Sequence, residues 1–177
     1  ILGLEEENRV ELLIVDTAGD ATELHDELAS LVDLILCPIQ PTTSDLATAI
    51  GTANWLFRMR ERVDDASKLP SFYAVFNRVK SSPTKAEMQI ISHAKEQPTV
   101  GKTLDSPVEL LPLLNMAIRE RDAYRTMDTK GLLNKLIYQA GQREEKFLRN
   151  PKLLVAALEE MSALLSNCQT KMGASNG

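Results

Sequence analysis

The sequence predicts an α/β fold, a parallel sheet flanked by helices in three layers. Three observations predict it. Short apolar runs at 11–15, 33–39 and 71–76 have the length and branched-residue content of strands buried on both faces. Each is followed by a stretch with helical spacing of apolar residues. Each also ends in polar residues able to carry chemistry: Asp16-Thr17-Ala18-Gly19, Gln40-Pro41-Thr42-Thr43 and Asn77-Arg78. In open parallel sheets, ligands bind outside the carboxyl ends of the strands.

Taken in order, the first strand (Glu-Leu-Leu-Ile-Val, 11–15) leads to a helix over 22–32, with Thr22 as its N-cap and Leu24, Leu28, Leu31 and Val32 on one side. The second strand, 33–39, closes at Gln40-Pro41. Thr43 or Ser44 then caps a long helix whose apolar side holds Leu46, Ala49, Ile50, Ala53, Trp55, Leu56 and Met59. The third strand, 71–76, precedes an amphipathic helix over 84–95. Pro98, Gly101 and Pro107 mark a loop. A fourth strand is expected near 109–114, with Pro112 at its edge or end. Helices are expected over 119–128, 131–148 and 151–166, the last with Pro151 at the favoured first position. The polar tail 171–177 is expected to fray. Residues 1–170 thus read as one α/β domain.

Composition sets the outer bounds. The 177 residues are 44% hydrophobic and 25% charged, which excludes a disordered, collagen-like or coiled-coil chain. No apolar run reaches the roughly 20 residues of a membrane span. Cys37 and Cys168 are too few for a disulfide framework or a cysteine-rich zinc site. His25 and His93 have no ligand or catalytic partner at useful spacing. The opening at Ile1 reads as a piece of a longer protein. The formal charge of −5 is uneven: residues 1–100 carry 16 acids against 9 bases, whereas 119–152 carry 9 bases against 5 acids. That basic stretch suits contact with nucleic acid, or an ordinary solvated helical face.

The strongest motif is Leu12-Leu13-Ile14-Val15-Asp16-Thr17-Ala18-Gly19. An apolar strand running into an aspartate describes a Walker B element, whose carboxylate anchors Mg²⁺ through water. Gly19 would let the backbone approach a γ-phosphate. A buried strand with an ordinary Asp/Gly turn fits the same residues. Guanine readers carry an aspartate after Asn/Thr-Lys-x. Here Asn77-Arg78-Val79 runs into Lys80, a donor only, which argues against guanine. The carboxamide of Asn77 can pair with adenine or cap a turn. Gly101-Lys102-Thr103 mimics the end of a P-loop, but Glu96 stands where the first glycine must be. No other phosphate-binding loop is present in the sequence.

Together these residues resemble the ParA/MinD group of deviant-Walker P-loop ATPases, nearest the small ParA-type proteins of plasmid partition and conjugative DNA transfer. The resemblance runs through Leu12–Gly19, Ala29–Pro41, Ser44–Ala47, Val75–Val79 and Ile118–Tyr124, and covers residues 10–165. It implies the C-terminal two-thirds of such a protein, lacking the P-loop strand and switch I. By resemblance, Asp16 is the Walker B aspartate and holds Mg²⁺ through water, Gly19 opens switch II, and Asn77 faces adenine. Arg119, Arg121 and Arg125 then contact DNA, with Lys130 and Lys135 as weaker additions. The resemblance further implies ATP and Mg²⁺ in the intact protein, an ATP-dependent homodimer, non-specific DNA binding and a partition or relaxosome partner protein. The setting it implies is bacterial cytoplasm, with no membrane. One aspartate cannot replace loop, lysine and metal in phosphoryl transfer, so this piece alone is expected to bind no cofactor and hydrolyse no ATP. A non-catalytic interaction module and, more distantly, a GTPase piece remain as alternatives.

Overall fold

The computed structural model describes residues 12–17, 23–96, 111–141 and 151–175. Helix α1 (Glu23–Ala29) precedes strand β1 (Leu34–Ile39), and helix α2 (Thr43–Arg60) leads through a short turn of 3₁₀ helix (Ala66–Lys68) to β2 (Ser71–Val79). Helix α3 (Lys85–Glu96) comes before β3 (Leu113–Arg119), followed by α4 (Asp122–Lys130), α5 (Leu133–Gly141) and α6 (Pro151–Ser175). The three strands form one parallel sheet in the order β1-β2-β3.

Both crossovers step across the sheet in the same direction. A single right hand therefore places α2 and α3 on the same face. The core agrees: Ile39, Phe72, Ala74 and Phe76 pack with Leu46, Ala49, Ala53 and Leu56 of α2 and Ala94 of α3. Ala29 joins this cluster, and the Trp55 indole N–H donates to the Asp26 carboxylate at 2.9 Å, so α1 lies on that face too. Val75, Leu114 and Ile118 point the other way, where Met161, Leu164 and Cys168 of α6 cover them. Leu154 and Ala157 continue the same stripe of α6 into a smaller cluster with Ala123, Leu133 and Leu136. Helices thus cover both faces of the sheet, as expected.

Several boundaries differ from expectation. The first expected strand is not one among the described residues: 12–17 have no regular secondary structure and join no strand of the sheet, and Ile14 is 80% exposed. An apolar run becomes a strand only when a neighbour completes its ladder, and among the described residues none does. The second strand, the start of α2 and both ends of α3 stand within a residue or so of expectation. Thr42, rather than Thr43 or Ser44, caps α2, its hydroxyl accepting the Asp45 N–H at 3.1 Å. β3 begins at Leu113, four residues after the expected start near 109, and ends at Arg119, because Pro112 has no N–H for the ladder and the inward alternation runs Leu114, Met116, Ile118. Pro112 still accepts the Ala74 N–H at 2.7 Å. The helix expected from 119 therefore starts at Asp122. It ends at Gly131, whose φ of 97° closes the turn in a conformation that favours glycine.

The helix expected to stop at 166 runs to Ser175, so the tail expected to fray from Lys171 is helical through 175. Leu164, Cys168 and Lys171 recur at helical spacing on the sheet side, and the Lys171 ammonium lies 5.0 Å from the centre of the Tyr73 ring. Thr22 and Gly19 lie outside the described residues, as do 142–148 of the expected 131–148 helix. Among the described residues no helix is long and apolar enough to cross a membrane.

Candidate functional site

The carboxyl ends of the three strands form the candidate site. At the end of β1, Asp45 organises the turn. Its two carboxylate oxygens accept the Gln40 N–H at 2.9 Å and the Thr42 hydroxyl at 3.0 Å. This explains the Gln-Pro-Thr-x-x-Asp spacing locally: a carboxylate at the third helical position reaches back to an N–H the strand leaves free. Asp45 also pushes the Cys37 thiol above its usual range, behind the larger effect of burial.

At the end of β2 the backbone is irregular. Phe72, Ala74 and Phe76 face one layer, and after one extra residue Val79 faces it again. That extra residue is a β-bulge at Asn77-Arg78. Arg78 has φ 55°, and among the described residues it is the single non-glycine in the left-handed region. The Asn77 Oδ1 accepts the Arg78 N–H at 2.8 Å and so holds the bulge. The turn-capping role of Asn77 is thus filled by its acceptor.

Just beyond, Thr84 and Glu87 form a reciprocal cap on α3. The Glu87 N–H donates to the Thr84 hydroxyl at 3.2 Å, and the Thr84 N–H donates to the Glu87 carboxylate at 2.6 Å. Lys80 donates to the same carboxylate at 3.0 Å. The Thr84 N–H, then Lys80 and the Thr84 hydroxyl, hold Glu87 at about 2, well below its ordinary value. A depressed carboxylate stabilises the fold above its unfolded pKa and ceases to do so as pH falls through the folded value. Glu87→Gln is therefore expected to lower the melting temperature at pH 7 by a few degrees and to make no difference near pH 2. Thermal melts across that range check it.

At the end of β3 the arginines part company. Arg121 is drawn inward. Its guanidinium meets the Glu160 carboxylate of α6 with two bonds of 3.2 Å. Glu160 also accepts the Tyr124 hydroxyl at 2.6 Å and the Arg119 backbone N–H at 3.2 Å. Burial pushes the Glu160 carboxyl up, but the Arg121, Tyr124 and Arg119 donors together hold it below its ordinary value. Burial and the Glu160 carboxylate push the Tyr124 hydroxyl far up. Arg125 is paired on the surface, with Glu120 at 2.6 Å and Asp122 at 3.5 Å. The Arg119 side chain is exposed, and so is that of Arg78, one residue from Val79, which stands opposite Arg119 in register. Among the described residues neither guanidinium has an acidic partner.

The expected nucleotide residues are not brought together. Asp16 is exposed on the chain segment outside the sheet, and Asn77 sits in the β2 bulge. Among the described residues no group of three ligating side chains could hold a metal ion.

Two functional residues escaped the sequence. Arg78 was paired with Asn77 in a motif and not weighed as a cation. Arg121 has the acids Glu120, Asp122 and Asp128 near it in sequence, yet it pairs with Glu160, 39 residues away. The signal for Glu160 was present: it flanks the apolar stripe Leu154, Ala157, Met161 and Leu164, where a buried-edge carboxylate needs a cation. No family model matches the chain, and no characterised protein or solved structure matches it either.

Proposed function

We propose that this chain is part of a ParA-like ATPase acting in plasmid or chromosome partition or in conjugative DNA transfer, and that its carboxyl rim contacts DNA phosphates. The observation that carries the DNA contact is selective neutralisation. Lys80, Arg121 and Arg125 each face a carboxylate, while Arg78 and Arg119, on adjacent strands, face none among the described residues. A bulge also holds Arg78 in a conformation costing roughly 1 kcal/mol, and such strain clusters at functional positions. Guanidinium groups suit phosphate oxygens, and such contacts are salt-sensitive and blind to sequence.

Of the arginines expected on this surface, Arg119 keeps the role. Arg125 has it only if Glu120 and Asp122 release it. Arg121 serves the fold. ATP and Mg²⁺ belong, on this proposal, to the longer protein. The second reading, an interaction module that works without nucleotide, is favoured by the placement of Asp16 off the sheet.

The test is fluorescence anisotropy with labelled duplexes of unrelated sequence over a salt series. Exchanging both Arg78 and Arg119 for alanine is expected to weaken binding to every duplex roughly tenfold and to lower the salt slope by about 2. Arg78→Gly alone is expected to weaken binding while raising stability by roughly 1 kcal/mol, because glycine accepts the left-handed backbone. Equal binding by the double variant overturns the rim as the DNA surface. Calorimetry with ATP and Mg²⁺ separates the two readings, since nucleotide binding by an upstream-extended chain is required by the first alone.

A further inference from the structure

We infer that the outer side of α2 carries a site for a nucleotide unit, with the flat base against Trp55 and the phosphate on Arg58 and Arg62. The site is separate from the strand-end rim and independent of the DNA reading. A cavity of about 490 Å³ opens there, and among the described residues its lining is Gly51, Asn54, Trp55, Arg58 and Arg62. That volume lies in the range of small-ligand sites. Helical spacing puts the lining on one stripe, turned from the buried stripe of Leu46, Ala49, Ala53, Leu56 and Met59. The Arg60 guanidinium donates to the Pro70 carbonyl, just before β2, at 2.8 Å. This end of α2 therefore lies by the amino ends of the strands, opposite the rim.

The lining has two ends of different chemistry. The Trp55 indole N–H donates to the Asp26 carboxylate of α1 at 2.9 Å. That bond occupies the ring's single polar atom and fixes the ring, so what Trp55 offers the cavity is apolar ring surface. Bases stack on such surfaces. One and two turns further on stand Arg58 and Arg62, whose guanidinium groups match phosphate oxygens. The Arg62 Nε–H donates to the Arg58 carbonyl at 3.3 Å, which holds that side chain along the helix and leaves the rest of its fork of donors for an oxyanion. Asp26 at the indole end repels a phosphate toward the two arginines, so the charges set the ligand's direction.

Basic residues in a last turn also suit the helix dipole. The dipole does not ask for a tryptophan and a glycine in the same stripe. Glycine inside a helix is unfavourable relative to alanine. A Cβ at Gly51 would meet nothing within 4 Å, so packing does not require its absence. One turn from Trp55, Gly51 leaves an open floor on which a flat ring can lie against the helix backbone.

Trp55 is the single tryptophan of the chain, so its fluorescence reads the site directly. The probes are adenosine 5′-monophosphate, adenosine, inorganic phosphate and a short single-stranded oligonucleotide. Saturable quenching by the monophosphate is expected, with roughly tenfold weaker binding of adenosine and with inorganic phosphate competing without quenching. Exchanging Arg58 and Arg62 together for alanine is expected to weaken the monophosphate roughly tenfold with unchanged circular dichroism, whereas exchanging Arg78 and Arg119 leaves the quenching as it was. Gly51→Ala is expected to weaken binding severalfold while raising the melting temperature by about 2–4 °C, an opposition that a merely structural glycine would not give. An oligonucleotide that binds more tightly than the monophosphate assigns the unit to single-stranded nucleic acid, and one that binds no more tightly assigns it to a free nucleotide. No saturable quenching by either overturns the site, as does quenching that survives the Arg58 and Arg62 exchange. Quenching lost on exchanging Arg78 and Arg119 places the ligand at the rim and overturns it too.

Discussion

Glu160→Ala is expected to lower the unfolding free energy by about 2–3 kcal/mol, which for a domain of this size lowers the melting temperature by roughly 5–10 °C. The loss has a specific origin. One carboxylate binds the Arg121 guanidinium, the Tyr124 hydroxyl and the Arg119 N–H, and so fastens α6 across the junction of β3 and α4. The Arg121 and Glu160 side chains are 24% and 11% exposed, so removing the carboxylate leaves a largely desolvated cation without its counter-charge. Full burial would cost more, and residual solvent access reduces the effect. Glu160→Gln keeps the shape and one acceptor and is expected to cost about half as much.

The pH dependence follows from the direction of the shift. The Glu160 carboxyl is held below its ordinary value near 4.5, so its stabilisation is complete above that pH and fades as pH falls through the lowered value. Urea melts of wild type and Glu160→Ala should therefore converge as pH falls through that lowered value. A gap that persists in acid would show that packing, not charge, holds α6. DNA binding by the folded variant at neutral pH should change little, which separates this cluster from Arg78 and Arg119.

The second large effect is in the core. Phe76→Ala is expected to cost about 3–5 kcal/mol, against a total stability of roughly 5–15 kcal/mol for an ordinary domain. Phe76 is 2% exposed on the central strand, with Ile39 opposite it on one side and Ala117 on the other. It packs beneath α2 in the larger cluster, so truncating it removes buried contacts and leaves a cavity there. Phe76→Leu should cost about a third of that. Circular dichroism with urea titration checks both. A loss for Phe76→Ala below about 1 kcal/mol would mean that the β2 core is loosely packed.

The legible part of this protein is what periodicity encodes. Leu34–Ile39 and Ser71–Phe76 were readable as buried strands because branched apolar residues in the first and aromatic ones in the second crowd into six positions with no helical gap. α2 was readable because its apolar residues recur every three or four. The same logic failed at Leu12–Val15, where an identical pattern has no neighbouring strand among the described residues. It also misjudged β3, where the decisive information was one missing N–H at Pro112. The candidate site was half legible: Asn77-Arg78 was readable as a strand end and Arg119 and Arg121 as a basic pair by resemblance, but β3 was expected to end before them and their division of labour was not readable.

The sequence by itself determined the alternation of strand and helix, the apolar stripe on each helix and the chemistry gathered at each strand's end. These are local properties, set by side-chain spacing and backbone preferences within a few residues. Only the tertiary structure decided which arginine is spent on the fold and which faces solvent, because the partner of Arg121 lies 39 residues away on another helix. Only it decided that Leu12–Val15 joins no strand among the described residues, because a ladder needs a neighbour and no segment carries its neighbour within itself.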